Sequence, residues 1–234
     1  MTWGLACAYF SYIGANFLNY CFIISRGRLN MAKADIKHPT DHELKGIPPV
    51  DYSFKKLESL TEDILTEKPR GSRTKYIPRR GPNDKFITAS IWFNNNKIVS
   101  IDGLHKVVNS LLEYPSRLTW LDLSFNRIDV LSKDDLKKFP SLRILYLHGN
   151  RIKDIKLLVF VLGVIPTLRT LTLHGNPIDA TPYYRNYIVK TVPQLTSLDF
   201  AIITMSERLA PAPPNDLINE RVEKMLNEKS REIY

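Results

Sequence analysis

Cysteine is almost missing from this chain: Cys7 and Cys21 are all it has, and none follows residue 21. No disulfide framework can brace the rest of the sequence, which favours a reducing, cytoplasmic setting. The short patterns that carry catalysis are missing too. There is no G-x-S-x-G elbow, no phosphate-cradling P-loop, no G-x-G-x-x-G fingerprint and no Cys/His cluster at metal-ligand spacing. Glycine is used recurrently only in two HGN triplets, at Gly149 and Gly175. We therefore expect no enzyme, no cofactor and no metal centre.

Charge is not concentrated either. The net +9 is spread as +2 over residues 1–30, +2 over 31–84, +6 over 85–210 and −1 beyond. Phosphate backbones call for clustered Lys and Arg, so nucleic acid is the minority reading. The one local run is Lys68, Arg70, Arg73, Lys75, Arg79 and Arg80. It reads first as a solvated linker and second as an RNA contact or nuclear signal.

Residues 3–24 carry no charge at all. That length could span a bilayer, with Arg26, Arg28 and Lys33 then holding the remainder on the cytosolic side. Tyr9, Ser11, Tyr12, Asn16 and Asn19 interrupt the run, no basic region precedes it, and no small-residue cleavage site follows. Three readings stay open for residues 1–30: an upstream extension ahead of a start at Met31, which is favoured, a membrane anchor, and a signal peptide. Residues 31–85 are polar and predict a mostly disordered lead-in. Within it, PPVDYSF (48–54) and an amphipathic stretch with Leu57, Leu60, Ile64 and Leu65 predict a helix. That segment is a candidate N-terminal cap, or else a detachable partner-binding motif.

What the chain does have is a repeat. LRILYLHGNRI (142–152), LTWLDLSFNRI (118–128) and LRTLTLHGNPI (168–178) share the unit LxxLxLxxNxI, and TASIWFNNNKI (88–98) is an imperfect copy. The asparagines Asn96, Asn126, Asn150 and Asn176 are 30, 24 and 26 residues apart. Alternation puts Leu145 and Leu147 on one face of a short strand and Tyr146 on the other. The Asn amide can satisfy backbone groups where the chain leaves the strand, which an aliphatic residue could not. A helical bundle would need apolar residues three and four apart throughout these stretches, and would leave the in-register asparagines to coincidence.

These residues resemble a leucine-rich repeat solenoid of about four repeats, with a parallel concave sheet and helices and turns on the convex side. No single repeat can bury its apolar face, so its stability comes from stacking on neighbours. YRNYIVKTVPQLTSLD (184–199) with Glu207-Arg208 resembles the C-terminal cap of small intracellular leucine-rich repeat proteins; Ile188, at the usual Val position, is the departure. Such caps occur in proteins of splicing, messenger export, dynein and tubulin folding. The ordered set PPVDYSF, WFNNN, LDLSFN, LYLHGN, LTLHGNP and YRNYIV extends the resemblance over about residues 48–208, while residues 1–30 and the tail lie outside it. It implies a repeat domain over 86–209, then a Pro-rich link and helix over 210–234, in a cytoplasmic protein without catalysis.

In such a solenoid the residues between the leucines line the concave sheet: Trp92, Asn94, Trp120, Asp122, Ser124, Ile144, Tyr146, His148, Thr170, Thr172 and His174. We single out Trp92, Trp120, Asp122, Tyr146, His148, Thr172 and His174 as the surface for a protein partner, since exposed aromatics are the usual anchors of interfaces. The competing reading packs Trp92 and Trp120 under the N-terminal segment. His148 and His174 should sit on adjacent strands ~4.8 Å apart. A metal would need a third ligand, and Asp122 lies in the neighbouring column. The leading expectation is a protein-binding scaffold, with a cytoskeletal or ciliary version by similarity. The alternatives are a ribonucleoprotein subunit and a membrane-anchored adaptor.

Overall fold

The computed structural model describes residues 22–25, 28–31, 41–44, 46–71 and 77–214. It forms two units, residues 1–39 and 40–234. In the first, β1 (Phe22–Ser25) and β2 (Arg28–Met31) make an antiparallel hairpin with Phe22 opposite Met31. The last residues of the uncharged run are thus a strand. Among the described residues no helix is long and apolar enough to cross a membrane. The three readings of the N-terminus otherwise fall on residues outside the described set, as does the helix expected near the C-terminus.

The second unit opens with α1 (Asp41–Leu44) and β3 (Val50–Asp51). Strands β4 (Ser90–Trp92), β5 (Trp120–Asp122), β6 (Ile144–Tyr146) and β7 (Thr170–Thr172) follow, one per repeat. Between them run α2 (Leu104–Leu111), α3 (Lys133–Leu136) and α4 (Ile155–Leu162). The chain ends in α5 (Tyr184–Thr191), β8 (Ser197–Leu198), β9 (Ala201–Ile202) and α6 (Met205–Leu209). One seven-stranded sheet runs in chain order from β3 to β9, parallel except for the last pair. Its register stacks Val50, Ile91, Leu121, Leu145, Leu171 and Leu198 in one fully buried column. Each such side chain contributes ~1.5–3 kcal/mol by its burial.

The asparagines form a ladder. Asn150 donates through Nδ2 to Leu147 O and to Leu123 O of the preceding repeat, both at 2.9 Å, and its Oδ1 accepts from Ile128 N at 3.0 Å. Asn126 and Asn176 repeat the arrangement one turn either side. The residue before each asparagine is left-handed: Asn95, Phe125, Gly149 and Gly175 have φ of 55°, 53°, 68° and 71°. This is the backbone reason for the glycine in HGN.

Asn96 uses the same hydrogen bonds, and they lead to a repeat that the sequence hides. Its Nδ2 donates to Phe93 O and Tyr52 O, and its Oδ1 accepts from Lys55 N and Leu57 N. Val50, Tyr52, Lys55 and Leu57 therefore stand where Ile91, Phe93, Asn96 and Ile98 stand, and Phe54 is left-handed (φ 58°) like the other residues of its column. PPVDYSF opens a degenerate half-repeat that covers the first edge of the sheet. Tyr52 is buried on Phe93, rings 5.8 Å apart, and burial pushes its phenol up to about 12.

The described lead-in is therefore folded onto the solenoid, with Leu60 and Ile64 in the same core. The expected 57–65 helix shrinks to a single 3₁₀ turn, Glu62–Thr66, with Leu65 exposed. Leu57 and Glu58 instead accept from Lys97 N and Val99 N, and that pairing holds the backbone away from helical geometry. The second convex segment carries one helical turn, capped by Ser132, whose side chain accepts from Asp135 N.

At the other end Tyr184, Arg185, Asp199, Glu207 and Arg208 of the cap motif bond one another and the backbone, while Asn186 Oδ1 is buried with no partner among the described residues. Tyr184 donates to Asp199 Oδ2 (2.8 Å), and Asp199 Oδ1 accepts from Leu173 N and His174 N. Burial, with Asp199 beside it, raises the Tyr184 phenol well above its usual range. Arg185 donates to Glu207 Oε1 (2.5 Å) and to Leu198 O, while Arg208 donates to Pro193 O and Leu195 O. Glu207 also closes a capping box with Thr204. Its bond from Arg185, then those from Thr204, hold its carboxyl at about 2.

Candidate functional site

Two columns of side chains cross the concave face. One runs Asp51, Trp92, Asp122, Tyr146, Thr172; the other runs Ser90, Trp120, Ile144, Thr170, Ser197. Trp92 and Trp120 lie on a diagonal between columns, and their rings meet edge-on at 5.3 Å. Trp120 meets Tyr146 at 5.7 Å, and Tyr146 meets Phe200 at 5.4 Å, again edge-on. A chain of four rings thus runs diagonally along the sheet, each contact worth ~0.5–1.5 kcal/mol beyond area burial. The tryptophans are half-buried on this face.

His148 and His174 do sit side by side, with rings stacked at 4.7 Å and 9°. Phe125 meets His148 at 4.9 Å, and Phe200 lies 5.7 Å from both imidazoles. His148 is buried, which lowers its pKa; neighbouring His174 adds to the lowering and Asp199 opposes it. Its Nδ1 is 2.8 Å from Thr172 Oγ1, and Leu147 N donates to the same hydroxyl. Both contacts are satisfied when the Thr172 hydroxyl donates to the unprotonated Nδ1 of a neutral imidazole. Thr172 is fully buried, so of the seven residues picked from sequence it is the one that no partner can touch in this conformation. Asp199 Oδ1 lies 3.3 Å from His174 Nδ1, but among the described residues no group of three His, Cys, Asp or Glu side chains is placed to hold a metal ion.

Asp122 accepts from Ser124 N (2.9 Å) and Ser124 Oγ (2.6 Å). Burial raises its pKa against those two bonds, and also raises that of Tyr146 next to it. Two clefts share Trp92 and Trp120. One, of about 310 Å³, includes Asp51, Phe54, Arg70, Asn94 and Asp122; the other, of about 720 Å³, is lined mainly by Leu44, Ile47, Pro48, Pro49 and Ile144. Three atoms on this face are buried with no hydrogen-bond partner among the described residues: Trp92 Nε1, Trp120 Nε1 and Asn94 Oδ1. Each costs ~1–3 kcal/mol while unpaired.

Sequence reasoning missed Phe125 and Phe200, and saw Phe54 only as part of the 48–54 cap or partner-binding segment. All three are exposed by more than half and all are left-handed, with φ of 58°, 53° and 63°. A bulky residue there costs ~1–3 kcal/mol, and such strain gathers at functional surfaces. Phe54 and Phe125 occupy the place that glycine takes in HGN, so an aromatic at that position was the available signal. Phe200 had none: it belongs with Asp199 to the two-residue turn between β8 and β9. Of the basic run, Arg70 lies over the Phe54 ring at 5.0 Å, and Arg80 lies over Phe86 at 4.3 Å and pairs with Asp84. Both make these contacts while staying exposed to solvent; Arg73 and Lys75 lie outside the described residues.

A leucine-rich repeat model matches residues 66–225, and bovine (Bos taurus) leucine-rich repeat-containing protein 51 is 42% identical over 163 residues, which is 69% of this chain and 81% of the relative. The chain belongs to the leucine-rich repeat-containing protein 51 family. The Rattus norvegicus and Homo sapiens proteins of that family are similar at 39% over 179 residues and 40% over 163, covering 76% and 69% of this chain and 88% and 81% of theirs. Among solved structures, a chain of the Drosophila melanogaster SNF/U2A′ complex is similar with a TM-score of 0.49 and 23% identity, covering 74% of this chain and 99% of that one. The family places the concave face in context, since solenoids of this kind use an extended concave surface for binding.

Proposed function

We propose that this protein is a non-catalytic cytoplasmic adaptor that grips another protein along its concave face. The observation that carries the reading is the chain of rings Trp92, Trp120, Tyr146 and Phe200. Rings fixed edge to face offer apolar area at little cost in rotamer entropy, and the orphaned indole N–H groups among them are donors awaiting acceptors.

The test is capture of partners from cells with the tagged full chain, compared with its Trp120→Ala and Tyr146→Ala variants. Each variant is expected to keep its circular dichroism and to weaken the captured partner by ~30-fold, the effect of losing about 2 kcal/mol at a hot spot. An unchanged partner set with the fold intact contradicts the reading. Salt-sensitive RNA in the capture, lost when Arg70, Arg73, Arg79 and Arg80 are neutralised, would favour the ribonucleoprotein alternative.

A further inference from the structure

The 310 Å³ cleft at the first edge of the sheet has a chemistry that selects its occupant. We propose that it receives an arginine side chain presented by the protein partner, a refinement that rests on the concave-face reading above.

Its floor alternates charge and ring: Asp51, Trp92 and Asp122 are in register on three adjacent strands, β3, β4 and β5. Asp51 is almost wholly buried, and among the described residues its carboxylate accepts one hydrogen bond, from Ser53 N at 2.8 Å. Among the described residues the Asp122 carboxylate is bonded by Ser124 alone. Neither carboxylate is ion-paired with a described residue. Arg70 lines the same cleft, but its guanidinium lies over Phe54 and reaches Ser53 O at 3.4 Å. Among the described residues the cleft thus holds two acids against one base, in a place where a carboxylate without a counter-charge is costly.

A second observation points the same way without using charge. Asn94 lines the cleft, and its Oδ1 is a buried acceptor that no described donor reaches. A guanidinium answers the whole set: it carries up to five N–H donors, one positive charge and a flat face that stacks on an indole. An acidic ligand would meet two carboxylates, and an aliphatic one would desolvate them and leave Asn94 unpaired. The volume lies at the lower end of the ~300–1,000 Å³ typical of small-ligand sites, enough for one long side chain.

The probe is N-acetyl-arginine methylamide, titrated into the full chain with ¹⁵N-labelled tryptophan while the indole N–H resonances of Trp92 and Trp120 are followed. They should shift saturably, and the response should weaken with added salt. The neutral citrulline analogue should bind about tenfold more weakly or worse, and so should the arginine probe to Asp122→Asn, whose amide oxygen still accepts from Ser124. Phe160→Ala, exposed on α4 and outside the cleft, should bind the probe as wild type does. No saturable shift, or equal binding of arginine and citrulline, overturns the proposal. So does binding that appears only in an Arg73→Gln, Lys75→Gln double variant, because the chain would then fill its own cleft. Partner capture that depends on Trp120 while the probe fails leaves the concave-face reading standing and removes this one. A bound probe with capture indifferent to Trp120 and Tyr146 removes the concave-face reading and, with it, the partner as the source of the arginine.

Discussion

Asn150→Ala is expected to destabilise the protein by about 2–4 kcal/mol, read as a lower urea midpoint at unchanged slope. The size follows from which groups lose their partner. Leu123 O and Leu147 O each accept from two asparagines, the one in their own repeat and the one in the next, so each keeps a bond when Asn150 goes. Ile128 N accepts no such relief, because Asn150 Oδ1 is its acceptor and the site is closed to water. Asn150→Asp should be at least as damaging: a carboxylate can still accept from Ile128 N but turns negative oxygens toward two carbonyls. Since nearest-neighbour stacking carries a solenoid, the loss falls in the middle of the array, where a total of ~5–15 kcal/mol leaves little reserve. A cost below about 1 kcal/mol for both variants would mean that the ladder contributes little.

Gly103→Ala is the second large effect, expected at about 2–3 kcal/mol. Gly103 has φ 84° at the start of α2, and an added Cβ would sit 2.8 Å from the backbone carbonyl of Leu60. The left-handed conformation alone accounts for about 1 kcal/mol. The remainder requires Leu60, which is buried, to back away from the first repeat. Amide exchange should therefore accelerate first in residues 50–66, ahead of the central repeats. A cost of only about 1 kcal/mol, with exchange in 50–66 unchanged, would show that the half-repeat is not clamped against α2.

Why some of this was legible in the sequence and some was not comes down to where the signal lives. Asn126, Asn150 and Asn176 announce the solenoid because their geometry tolerates no other side chain at a nearly fixed period. The half-repeat opened by PPVDYSF escaped because Lys55 stands in the asparagine's place and lies 41 residues before Asn96, against 24–30 between the others. There the half-repeat's backbone accepts from the Asn96 side chain at Tyr52 O and donates to it from Lys55 N and Leu57 N, while the Lys55 side chain pairs with Glu67, so nothing selects an amide at position 55. The helix expected from Leu57, Leu60, Ile64 and Leu65 failed because backbone pairing with Lys97 and Val99 competes with it, and spacing alone cannot reveal that.

On the concave face, alternation correctly set Trp92, Trp120 and Tyr146 outward. It could not distinguish Thr172 and His148, which are buried, from their exposed neighbours. That difference is made partly by Phe125 and Phe200, which reach the histidines from left-handed turns outside the strand period.

The most direct measurement of the concave-face claim is the amide-exchange footprint of the captured partner on the full chain. Protection on binding is expected over residues 90–95, 120–125, 144–149 and 199–201, the strands and turns that carry the ring chain, with α2, α3 and α4 unchanged. Protection confined to those convex helices, with the strand segments exchanging as in the free protein, would contradict it.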